Sequence, residues 1–183
     1  MGSVQGKALV ASPYLTDPHF LRSVVYVLQH DDQGAIGLLL NRPTNRTIGE
    51  LLRQLSGDEF SNHAHVYWGG PVDGPVMLLQ VCHDPQGVGV YAASDPEQIL
   101  RIVANPECSE LSNYRLFDGY SGWGAGQLED ELKAGGWLVW DIEPGKILAD
   151  SDDLWESAVK AIGRDILAGG IDPSKMPEDP AYN

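Results

Sequence analysis

Residues 23–29, Ser-Val-Val-Tyr-Val-Leu-Gln, are apolar at nearly every position and rich in β-branched and aromatic side chains. That pattern predicts a buried strand. The turn His30-Asp31-Asp32-Gln33-Gly34 follows, and residues 35–40 return as an equally apolar run, so the two segments predict a β-hairpin. Shorter apolar runs at 7–12, 65–68, 76–82, 87–92, 114–117 and 137–141, most of them bounded by Pro, Gly or Asp, predict further strands. Helical signals are shorter and lie between them. Thr47-Ile48-Gly49-Glu50 has the form of a capping box and opens a helix carrying Leu51, Leu52 and Leu55. Ser94-Asp95-Pro96-Glu97 has the same form and opens a helix to about Ala104. A third helix runs from Gln127 to Ala134 and is stopped by Gly135-Gly136. A last one, capped at Asp150 or Ser151, places Leu154, Trp155, Ala158, Val159 and Ile162 on one face. Strands come first and in hairpins, with no regular βαβ alternation, which predicts an α+β fold. Residues 1–168 are expected to form one domain, and the Pro-rich segment 169–183 a flexible tail.

Composition agrees with a globular chain. Of 183 residues, 43% are hydrophobic and five are tryptophan, enough for a single core. No apolar run approaches the ~20 residues that span a bilayer, and the opening residues lack the charged-then-apolar order of a signal peptide. The expected location is the cytoplasm, without membrane association. Twelve basic against twenty-six acidic residues give a net charge of −14. The bases gather only as Arg42, Arg46 and Arg53. Phosphate neutralisation needs clustered cations, so direct nucleic-acid binding is not expected. The two cysteines, Cys82 and Cys108, have no metal or redox spacing. Cys82 sits in an apolar strand, and Cys108 stands near two acids that oppose a thiolate. His63-x-His65 would form a metal pair on one strand face, but no third ligand is recognisable.

The segment 117–129, Phe-Asp-Gly-Tyr-Ser-Gly-Trp-Gly-Ala-Gly-Gln-Leu-Glu, holds four glycines and, among them, the two large aromatics Tyr120 and Trp123. It reads as a strand-to-helix corner anchored by Tyr120 and Trp123. Gly119-Tyr120-Ser121-Gly122-Trp123 approaches a nucleophile elbow, but the fifth position is not glycine and every histidine precedes Ser121. Phosphate binding at the helix start is opposed by Glu129, Asp130 and Glu131 and by the lack of a following lysine. The better reading is structural, with the glycines letting the turn pass under the Tyr120 and Trp123 rings, which pack on neighbouring strands; a small uncharged ligand between those rings stays open as an alternative. Asn41-Arg42-Pro43 reads first as a structured turn, with Arg42 as a second candidate for carboxylate or phosphate. His30, beside two aspartates, reads as a solvated turn histidine.

Several separate motifs then point one way: Ala11-Ser12-Pro13, Asp17-Pro18-His19-Phe20, Gly34-Ala35-Ile36-Gly37 running to Asn41-Arg42-Pro43, Gly69-Gly70-Pro71-Val72, and the glycine-rich loop ending Gly126-Gln127-Leu128-Glu129. In order and spacing they resemble the YqgE/AlgH family of bacterial proteins from residue 6 to about residue 163. The resemblance implies a mixed, largely antiparallel sheet curled into a partly closed, barrel-like shape with short helices outside. It also implies an association with alginate production and transcriptional regulation, and no agreed biochemical activity. Ser121 stands where the family usually has alanine, and Gln80 where histidine is common. The expectation is a non-enzymatic regulatory module binding a small ligand or a protein partner, with no catalytic set, metal or cofactor. Its candidate site is Asn41, Arg42, Gly70, Tyr120 and Trp123. An enzyme with a shallow site between loops 69–71 and 119–126, using Arg42 or His30, is the alternative, and direct DNA binding the third reading.

Overall fold

The computed structural model describes residues 2–57, 59–84, 87–103, 112–149 and 152–170. In chain order the strands are β1 (Ala8–Ala11), β2 (Val24–Asp31), β3 (Gly34–Leu39), β4 (Pro43–Thr47), β5 (His65–Trp68), β6 (Met77–Asp84), β7 (Gly87–Ala93), β8 (Ser112–Asp118), β9 (Ser121–Gly124) and β10 (Trp137–Trp140). The helices are α1 (Ile48–Ser56), α2 (Pro96–Val103), α3 (Gln127–Lys133), the single turn α4 (Pro144–Ile147) and α5 (Leu154–Gly170).

The fold is α+β, but the sheet is not one curled barrel. Two five-stranded sheets form, ordered β10-β1-β2-β3-β9 and β4-β5-β8-β6-β7. All pairings are antiparallel except β5 with β8. Neither sheet closes. In the first sheet β9 and β10 remain separate edges, and α3, which lies between them in sequence, spans them instead.

The period-2 pattern explains the layering. Ala8, Val10, Val24, Tyr26 and Leu38 point from the first sheet into a core shared with Leu79, Val81 and Phe117 of the second. Leu154, Ala158 and Ile162 of α5 complete that core, as the helical spacing predicts. Leu9, Ala11, Val25, Val27 and Leu39 point the other way and meet Trp123, Trp137 and Leu128 of α3. Strands β1 to β3 are therefore apolar on both faces because both faces are covered. The outer face of the second sheet carries Val66, Leu78 and Leu116 against Ile48, Leu51 and Leu52 of α1 and Ile99 of α2. Leu55, expected on that face, is exposed.

Local signals largely hold. The capping box at Thr47 is present: its hydroxyl accepts from Glu50 N at 3.2 Å, and Glu50 accepts from Thr47 N at 2.8 Å. In place of the second box there is a single cap one residue later: Asp95, not Ser94, accepts from Gln98 N at 2.9 Å, and the Gln98 side chain donates to the Tyr91 hydroxyl instead. Gly135 adopts φ 76° at the end of α3, as a helix stop requires. The expected cap at Asp150 or Ser151 and Cys108 lie outside the described residues, as does the expected tail 169–183 except for Gly169 and Gly170, which α5 includes. Among the described residues no helix is long and apolar enough to cross a membrane.

Candidate functional site

The glycine-rich segment is not a simple corner. Gly119 and Tyr120 carry the chain from β8 in one sheet to β9 in the other, and β9 pairs with β3 through Gly37↔Ser121 and Ala35↔Trp123. The Gly69-Gly70 turn stitches the same crossing. Gly69 donates its N–H to Asp118 O at 2.8 Å, and its carbonyl accepts from Leu39 N at 3.0 Å. Val72 and Tyr120 exchange two backbone hydrogen bonds of 3.0 Å. At Gly70 φ is 150°, and a Cβ would lie 2.3 Å from the carbonyl carbon of Tyr120. Backbone fills the space directly between Gly69-Gly70 and Gly119-Tyr120, so no ligand fits at that contact, and open space adjoins the two loops only beyond it, at Pro71, Gly122 and Trp123.

Ser121 is fully buried and donates to Gly69 O at 3.0 Å. An alanine there would remove one of two donors to that carbonyl and leave Leu39 N, so Ser121 reads as a packing position. Gln80 is buried on β6, on the face carrying Leu78.

His30 is not a solvated turn residue. An irregularity between Val27 and Gln29 inserts one residue into β2, so that His30, not Gln29, stands opposite Ala35. A bulge of this kind re-aims the following side chains, and it turns His30 to the α3 face, where it is buried. Its Nδ1 accepts from Val4 N at 3.0 Å, so the proton is on Nε2, which donates to Glu129 Oε1 at 3.0 Å. Glu129 is held below the usual carboxylate range, first by its own backbone N–H and then by His30. These contacts tie the N-terminal segment, β2 and α3 together.

The expected site residues separate into different places. Asn41 accepts from Val24 N at 3.0 Å and donates to Arg22 O at 2.9 Å. Arg42 donates to Leu21 O at 2.8 Å. Both line a groove of about 350 Å³ with Trp155 and Glu156. Tyr120 and Trp123 line a hollow of about 320 Å³ beside Asp31 and Ile36. Gly70 lines neither. His63 and His65 are both exposed, with only His65 on a strand. Among the described residues no group of three or more His, Cys, Asp or Glu could hold a metal ion.

The other side of Trp123 opens on a larger cleft of about 600 Å³. Its walls are the 14–20 loop, Pro71, Gly122 and the end of α3 with Gly135 and Gly136. Phe20, Trp123 and Trp137 form its floor, with ring centroids 5.3 to 6.2 Å apart. Glu131 holds that floor together. Its Oε2 accepts from Trp123 Nε1 at 2.9 Å and from Trp137 Nε1 at 2.7 Å, while Oε1 accepts from Gln127 Nε2 at 2.9 Å. One carboxylate on α3 thus joins β9 and β10, the edges that no backbone pairing closes. Tyr14, 90% exposed, stands at the mouth.

Sequence reasoning found Trp123 but missed Phe20, Glu131 and Trp137 as its partners. The i, i+4 spacing of Gln127 and Glu131 could have placed those two on one helix face. Nothing local announces that Trp123 and Trp137 meet there. It also missed Arg115, a buried arginine that donates to Leu40 O at 2.7 Å and to Ala149 O at 3.1 Å and lies 3.9 Å over the Tyr67 ring. Arg115 pins the ends of β3 and α4 to β8.

Comparison with known proteins gives the family and supports the fold. A UPF0301 protein of Streptomyces avermitilis is 35% identical over 100% of this chain and 97% of its own length. One from Cupriavidus pinatubonensis is 38% identical over 86% of this chain and 87% of its own. The solution structure of the AlgH protein from Pseudomonas aeruginosa superimposes with a TM-score of 0.71 at 28% identity, covering 94% of this chain and 98% of that one. The family model described as AlgH-like matches residues 8–167, which takes in both sheets and every wall of the aromatic cleft. The chain belongs to the AlgH-like family.

Proposed function

We propose that the protein is a non-enzymatic, cytoplasmic regulatory module that binds a small ligand in the cleft floored by Phe20, Trp123 and Trp137. The observation that carries this reading is convergence. Three of the segments that mark the chain in sequence, 17–20, 69–72 and 119–129, meet around one concave, aromatic-lined space. Ligand sites are concave, mostly apolar and furnished with a few fixed polar groups. Glu131 and Gln127 are such groups, held by mutual hydrogen bonds. Two of the candidates for proton or nucleophile chemistry are committed elsewhere, which supports a non-enzymatic role: Ser121 is buried against a carbonyl, and His30 is held by Val4 and Glu129.

Direct DNA binding gains no support from the arginines. Arg42 is held by Leu21 O, Arg46 pairs with Asp118 at 3.3 Å and Arg115 is buried. With a net charge of −14, no salt-dependent mobility shift with duplex DNA is expected.

The reading is tested by a thermal-shift screen of metabolites and nucleotides on the full chain and on Tyr14→Ala. Ligand at about 100 times its Kd stabilises by about 2.7 kcal/mol. Tyr14 is too exposed to matter for folding, so the variant should melt like the parent alone and respond less to ligand. A hit that stabilises Tyr14→Ala equally would move the site elsewhere. No hit at millimolar ligand would transfer the reading to a protein partner.

A further inference from the structure

We propose that the ligand of the aromatic cleft is a small organic cation, of the alkylammonium class; this rests on the cleft being a ligand site. Three side chains of the cleft carry N–H donors: Trp123, Trp137 and Gln127. All three point these donors at Glu131. An anionic ligand would find no charged donor there and would compete with that carboxylate for these N–H groups, leaving it only the Tyr14 and Thr16 hydroxyls. Among the described residues lining the cleft none is basic, while two, Asp17 and Glu131, are acidic. His19 Nδ1 lies 3.2 Å from Asp17 Oδ1, but its ring turns toward Trp68, 6.2 Å away, and does not line the cleft.

The remaining surface is ring and carboxylate. Tyr14 stands at the mouth, and Phe20 with the edges of the two largely buried indoles forms the floor. Aromatic faces attract a cation through their quadrupole, and quaternary ammonium groups are recognised by such clusters. An alkylammonium also needs no directional donors from its host. The volume of about 600 Å³ leaves space for a molecule larger than the ammonium head alone. The net charge of −14 favours the approach of a cation over that of an anion.

The test is a titration of the full-length protein, read by tryptophan fluorescence and by indole N–H signals in NMR. The probes are choline, its neutral isostere 3,3-dimethylbutan-1-ol, and inorganic phosphate. Choline should shift the Trp123 and Trp137 signals with an affinity about tenfold above the isostere, and phosphate should leave them unmoved. Asp17→Asn should weaken choline about threefold or more and leave the isostere unchanged. If the variant fails to fold, the choline-to-isostere ratio on the parent protein still decides. Equal binding of choline and isostere, or competition by phosphate, overturns the cation and leaves the ligand site standing. So does a neutral metabolite that moves the cleft signals when choline does not. If no probe and no metabolite moves them, both readings fall.

Discussion

Replacing Glu131 with alanine removes the acceptor shared by Trp123 Nε1 and Trp137 Nε1. Hydrogen bonds to a charged group contribute about 1.5–3 kcal/mol each. The cleft admits water beside Glu131, and a water molecule can take over part of the role, so the lower end applies to each bond. The expected loss is about 3 kcal/mol. The third bond, to exposed Gln127, adds little. In a chain of 183 residues, 1 kcal/mol moves Tm by about 2–4 °C, so Tm should fall by about 6–12 °C. Glu131→Gln keeps an amide oxygen as acceptor and should cost about 1 kcal/mol. Urea unfolding followed by circular dichroism gives both values, with an unchanged m-value as the check that only stability moved. The same variants should shift two tryptophan indole N–H signals and leave that of Trp155, which donates to Ala11 O at 2.8 Å, in place. A loss below about 1 kcal/mol for the alanine variant would refute the idea that this carboxylate joins the two sheet edges.

Four further outcomes follow from single positions. Gly70→Ala should cost about 3 kcal/mol or more, because its Cβ would meet Tyr120 backbone at 2.3 Å. Gly126→Ala, at φ 74° with open space around it, should cost only about 1–2 kcal/mol, and chemical denaturation of the pair separates steric conflict from backbone strain. Thr47→Ala removes the side-chain cap of α1 and should cost about 1 kcal/mol, with Thr47→Ser restoring most of it in the same melts. Glu129 is held below its ordinary value of 4.5 in the folded chain. Its contribution is therefore full above that value and lost as pH falls through the lower folded one. Glu129→Gln should flatten the acid limb of stability against pH, and an unchanged limb would show that its contacts do not matter.

Where burial patterns are local, the sequence was readable. Residues 24–29 and 35–39 form the β2–β3 hairpin because both faces of those strands are covered. The Thr47–Glu50 box forms because its bonds lie within four residues. Pro-Thr-Asn-Arg-Thr, by contrast, has no apolar pattern. It becomes β4 through its pairing with β5, Pro43↔Tyr67 and Thr47↔His65, supported by Thr44 donating to Val66 O at 2.7 Å and by Trp68 N donating to Arg42 O at 2.8 Å. Ser-Gly-Trp-Gly becomes β9 through pairing with β3, not through propensity. The one-residue irregularity in β2 inverted the reading of His30, since its cause is the register against β3. The candidate site was half legible for the same reason. Trp123 stood out in its glycine frame, but Trp137 and Glu131 join it only through tertiary packing. Asn41 and Arg42 follow a buried strand and lie at another groove, with polar atoms held by the 21–24 segment.

The most direct test of the cleft as the ligand site is a ¹H–¹⁵N chemical-shift map of the full chain, titrated with a molecule that raises its Tm. The account predicts movement of the Trp123 and Trp137 indole signals and of amides in 14–20 and 131–137, with Asn41, Arg42 and Glu156 unmoved. Movement centred on Asn41, Arg42 and Glu156, with the two indoles still, would contradict it.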